Sequence, residues 1–188
     1  MGTYSKAYIN NNDFVAVKAY IGKYYNVVSE EYDTIEQDWR FWKNKNDTII
    51  LSQEFNANWI EIQLNKRYSL YFHDELLRRI SLDLHTTILY GYYQSTDGIG
   101  RLSKFQNGKL NLSIVQREVG YKEDTMMRLI DNWGLSKKIK EEFSIPEINE
   151  KYFDIDWDLI YRFYKINGLE WDKIKRDDAK YLHLEINY

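Results

Sequence analysis

The chain has 188 residues, 26 basic against 29 acidic side chains for a net charge of −3, no cysteine and a single proline. That length suffices to bury roughly two-thirds of the unfolded surface, and with 44% hydrophobic and 16% aromatic residues a packed domain is expected rather than disorder. Balanced charge disfavours generic DNA or RNA binding, which rests on phosphate neutralisation. The lack of cysteine removes disulfides, thiolate metal sites and a Cys nucleophile, and no run of about 18 apolar residues marks a membrane span.

Taken in order, Met1 to Lys6 carries no apolar leader segment, and Lys6 occupies the place where a myristoylation signal needs Ser or Thr. A cytoplasmic location is therefore the expectation. Tyr4 to Ile9 reads as a short strand and Asn10-Asn11-Asn12 as a turn. Asp13 is placed to cap a helix whose Phe14, Val17, Ile21 and Tyr25 share one face. Val27 to Tyr32 and Thr48 to Phe55 read as strands around a connector, Asp33 to Asp47, that holds Trp39, Phe41 and Trp42 among charged residues.

From Trp59 to Gln116 the hydrophobic period switches from 2 to 3.6 and back. Ile60, Ile62 and Leu64 alternate with Glu61 and Gln63, then Leu76, Leu77, Ile80 and Leu84 fall on one face of a helix over 74–84, which Asp74 is expected to cap. Thr86 to Gln94 is the next strand. Asn107-Gly108 predicts a type I′ hairpin turn, with Phe105 opposite Leu110 and Ser103 opposite Leu112. Residues 4–55 and 59–116 thus share an order of elements, strand-helix-strand-strand, that suggests a duplicated β-α-β-β unit.

Beyond Gln116 the reading is mainly helical. Asp124 is placed to cap a helix with Met126, Met127 and Ile130 inward and Gly134 at its end. Ser136 caps a short second helix with Ile139 and Phe143, followed by Pro146, and Asp156 opens a third with Leu159, Ile160, Phe163 and Tyr164 inward and Asn167-Gly168 closing it. Tyr181 to Tyr188 ends the chain as an alternating strand. The expected architecture is a single α+β domain over 1–188: an antiparallel or mixed sheet from the two units, a helical region over 120–168, and a final strand.

Several motifs invite chemistry and fail on spacing. Asp154-Ile155-Asp156-Trp157-Asp158 opens like a calcium loop, but Leu159 and Lys165 stand where the loop needs Gly and a bidentate Glu, so helix capping explains the acids better. His73-Asp74-Glu75 cannot aim two adjacent carboxylates at one metal from a helix start. Ser81 lacks the Gly-x-Ser-x-Gly elbow and is expected on the solvated side of its helix. Gly98 and Gly100 lack the third glycine and the helix of a dinucleotide loop. No cofactor and no metal is expected.

His85-Thr86-Thr87-Ile88 resembles the H-x-T-hydrophobic element of two-histidine phosphoesterases, which carry two such elements on duplicated strands. The resemblance implies His85, Thr87 and His183 as an acid-base site on a phosphodiester or a small nucleotide. Glu185 departs from it, standing where the second element has Thr or Ser, and its carboxylate would repel such a substrate. The aromatic surplus points elsewhere. Trp39, Phe41, Trp42, Tyr90, Tyr92 and Tyr93 are the expected binding residues, because Tyr and Trp dominate interface hot spots. The leading expectation is a non-catalytic module that binds another protein. In size and composition it is similar to small bacterial toxin-neutralising (immunity-type) or inhibitor proteins, and the alternative is the phosphoesterase-like or nucleotide-binding reading.

Overall fold

The computed structural model describes residues 3–32, 48–53, 57–64, 70–94, 96–121, 124–146, 153–170 and 180–187. Trp39, Phe41 and Trp42 lie outside them. The elements are β1 (Thr3–Asn10), α1 (Phe14–Tyr24), β2 (Asn26–Tyr32), β3 (Thr48–Gln53), β4 (Trp59–Gln63), α2 (Asp74–Asp83) and β5 (Thr87–Gln94), followed by β6 (Ile99–Gln106), β7 (Lys109–Tyr121), β8 (Asp124–Trp133), α3 (Lys137–Glu142), α4 (Trp157–Ile166) and β9 (Lys180–Asn187). The described strands form one nine-stranded sheet in the order β2-β9-β3-β4-β1-β5-β6-β7-β8, and every pairing is antiparallel. This is an α+β fold.

Period-2 alternation gives each strand two faces, and in the middle of the sheet, over β4, β1, β5 and β6, both are covered. On the first face Ile9, Leu51, Ile62 and Tyr90 pack with Val17 and Ile21 of α1 and with Leu77 and Ile80 of α2. On the second, Tyr8, Trp59, Leu89, Leu102 and Ile114 pack with Phe143 and with Leu159, Ile160, Phe163 and Tyr164 of α4. As a result β4 is buried along its whole length, including Glu61 and Gln63.

The local signals hold where they are short-range. Asp13, Ser136 and Asp156 each cap a helix by accepting from the backbone N–H three residues on. Asn107 and Gly108 both have positive φ, 50° and 73°, as a type I′ turn requires. Phe105 pairs with Leu110, but an extra residue at Asn111 shifts the register so that Ser103 faces Ser113 and Lys104 faces Leu112. Ser81 is buried rather than solvated. Its hydroxyl donates to the Arg78 carbonyl at 2.8 Å and accepts from the Gly108 N–H at 3.0 Å, which ties α2 to the turn. Replacing Gly108 by Val should cost about 1 kcal/mol or more, since a β-branched residue resists positive φ and its Cβ would lie 3.1 Å from Leu82 Cβ. An unchanged urea midpoint for Gly108→Val would refute this.

Two further expectations are corrected. Residues 124–133 are strand β8, not helix, because β7 leaves its edge opposite β6 open and β8 pairs along it from Ser113 to Tyr121; 3.6-residue spacing in a short apolar run does not separate the two. Asp74 is the first residue of α2 and not its cap; that place belongs to His73, and the Asp74 carboxylate is engaged by Arg101. The expected strand-helix-strand-strand order is present in both stretches. In each, a helix on the first face joins two parallel strands, but β5 and β6 are neighbours whereas β9 separates β2 from β3.

Candidate protein-recognition face

Helix α4 is held on the second face by a glycine and a layer of tyrosines. Gly91 lies mid-strand in β5, and a Cβ there would meet the Tyr164 hydroxyl at 2.4 Å, so only glycine lets that ring lie on the sheet. Tyr164 donates to the Lys6 carbonyl at 3.2 Å, receives a bond from Tyr4 at 3.4 Å, and meets the Tyr8 ring edge-on at 4.7 Å. Beneath it Glu61 is buried, paired with Lys6 at 2.6 Å and accepting from the Tyr8 hydroxyl at 2.7 Å. Burial pushes the Tyr4, Tyr8 and Tyr164 hydroxyls well above the usual phenol range, with the Glu61 charge adding to it in all three. They remain protonated donors, fit to hold α4 and unfit to act as bases.

The outer side of α4 carries a different set. Trp157 and Tyr161, one turn apart, are each 49% exposed. The Trp157 ring is nevertheless fixed, meeting Tyr4 edge-on at 4.8 Å and Tyr93 at 6.5 Å. Beside them runs a groove of about 680 Å³ whose walls include Asp154, Asp156, Asp158, Tyr161 and Arg162. The loop that carries the first two aspartates is pinned to the sheet. Buried Gln116 donates to Asp154 at 3.0 Å and accepts from the Ile155 N–H, and Ile155 sits on Gly100, where a Cβ would approach its own Cβ to 2.8 Å. Three carboxylates against one guanidinium make the groove anionic.

Of the residues singled out from sequence, Tyr93 reaches this face. Tyr90 and Tyr92 do not: both are buried on the opposite side of the sheet, Tyr90 beside Ser5 and the Arg101 guanidinium, Tyr92 donating to Gln94 at 2.6 Å. They are core residues because alternation sends neighbours in a strand to opposite faces. His85 lies before the strand that the phosphoesterase resemblance would place it on. It follows α2 in an exposed left-handed conformation with φ 49°, and Thr87 begins β5. His183 lies in β9, in the row that runs through Ile50, Gln63 and Lys6 to Gly91. Four strand spacings, about 19 Å, separate it from β5, and Gly91 is itself six residues, about 20 Å, along from His85. The sheet therefore holds the two histidine positions apart. Buried His73 sits at the start of α2, and no group of three His, Asp or Glu able to hold a metal occurs among the described residues. No described helix is long and apolar enough to cross a membrane.

No family model matches the chain, and neither the curated proteins nor the solved structures yield a match. Trp157 and Tyr161 were legible in principle. With Leu159, Ile160, Phe163 and Tyr164 filling the apolar face of α4, two large aromatics four residues apart on its polar side are more than a solvated face calls for.

Proposed function

We propose that this chain is a non-catalytic protein-binding module that presents Trp157 and Tyr161 to a partner whose docking surface is basic. The observation that carries the reading is the pair of half-exposed aromatics on a helix clamped from below by Gly91 and the tyrosine layer. Rigid aromatic anchors contribute large contact area at small entropic cost, and such anchors dominate interface energetics. The aspartates alongside favour cationic residues in the partner and speed encounter with them. A toxin-neutralising or inhibitor role is one form this module takes, and it rests on likeness of size and composition alone.

The test begins with the partner recovered on the wild-type chain from its native host, purified and titrated directly. Trp157→Ala with Tyr161→Ala should weaken binding by about 3 kcal/mol, over a hundredfold, with the fold retained although loss of the Trp157 contacts with Tyr4 and Tyr93 lowers the melting temperature. Raising salt from 50 to 300 mM should slow association. A pure complex indifferent to the double substitution, or an acidic partner surface, would sink the proposal. Hydrolysis of a cyclic or linear dinucleotide by the wild type would instead favour the phosphoesterase alternative.

A further inference from the structure

A second groove, of about 500 Å³, opens at the other end of α4, and we infer that it is a binding site for a small amphiphilic carboxylate. Its apolar lining comes from Leu112, Ile139, Phe143 and Ile166, of which Ile166 is 47% exposed. Its polar side is built from β6, where Lys104 and Gln106 are two residues apart and so project to one face. The Lys104 ammonium donates to the Asn167 side-chain oxygen at 2.9 Å and forms no ion pair among the described residues. An ammonium has three donors, and a neutral amide together with the C-terminal end of α4 offsets only part of its charge. Asn111 donates to the Gln106 side-chain oxygen at 3.3 Å, which leaves the Gln106 amide nitrogen as the donor for a ligand. Lys138 adds a second cation to the lining, against one carboxylate, Glu142.

Two donors beside an apolar lining describe a carboxylate head and a short hydrocarbon or aromatic body, and the volume lies within the ordinary range for small-ligand sites. The site stands independently of the protein-binding reading. Its donors have no part in the Trp157 surface, so either can fail without the other.

The full-length chain, labelled with ¹⁵N, would be titrated with hexanoate, hexanamide and N-acetyl-leucine. Hexanoate should shift the amides of residues 104–112 and 136–143 saturably and bind about tenfold or more tighter than hexanamide, as expected for a hydrogen bond to a charged group. Lys104→Met should remove that preference while preserving the fold. Ile139→Trp, which fills the groove without touching the charge, should abolish both. Tighter binding of N-acetyl-leucine than of hexanoate would identify a peptide C-terminus as the natural source, the reverse a free acid; both orders support carboxylate recognition. Equal binding of hexanoate and hexanamide, shifts scattered over the surface, or a folded Lys104→Met chain that keeps the preference would overturn it.

Discussion

Replacing Asp74 by alanine is expected to lower the unfolding free energy by about 3 kcal/mol, because it strands a buried cation. The Arg101 side chain has no exposed surface, and its guanidinium donates to both Asp74 oxygens at 2.5 and 2.8 Å and to the Leu70 carbonyl at 2.6 Å. It also lies 4.5 Å from the Tyr71 ring centre and 5.9 Å from that of Tyr90, while its Nε has no partner. The ammonium of a lysine at 101 would lose the bidentate fork and the stacking together. Asp74 is 29% exposed, so water reaches the pair and the loss belongs at the low end of the range for broken buried pairs. The double substitution Asp74→Ala with Arg101→Met should recover about 2 kcal/mol of it, since a buried ion pair is close in stability to an apolar replacement of similar volume. Urea unfolding of both variants decides the matter. A single variant within about 0.5 kcal/mol of wild type would show that the carboxylate does not compensate Arg101, whatever the geometry.

Ile62→Ala should cost roughly 2 to 5 kcal/mol through lost burial and the cavity left behind. Ile62 is fully buried in β4, a central strand, directly opposite Leu51 on one side and Ala7 on the other. Neither small Ala7 nor a strand hydrogen-bonded on both edges can move to fill the space, so the upper half of that range is expected. Val15→Ala is the control. At 71% exposed it should change stability by less than about 0.5 kcal/mol, and equal effects of the two substitutions would remove Ile62 from the core.

Short-range chemistry in the sequence determined much of the frame. A carboxylate or hydroxyl three residues from a backbone donor is enough to start a helix, so Asp13, Ser136 and Asp156 mark helix starts without any tertiary information. Two adjacent residues that tolerate positive φ are enough to fold Asn107-Gly108 into a hairpin. The apolar faces of α1, α2 and α4 follow from 3.6-residue spacing in the same way.

What alternation does not say is whether a strand's polar face meets water or a second layer. Glu61 and Gln63 read as the outward side of β4, yet α4 covers the second face, and Glu61 is buried against Lys6 and Tyr8. Tyr90 and Tyr93 differ by three positions in one strand, and only the sheet's orientation makes one core and the other part of a surface. Residues 124–133 became strand because the edge of β7 opposite β6 was open to pairing, a fact about a neighbour and not about their own sequence. Likewise the separation of His85 from His183 is the breadth of the strands between β9 and β5, which no local pattern records. Order within each element is a near-neighbour property. Which faces meet, and so which aromatics stay exposed, is fixed only when the helices choose their sides of the sheet.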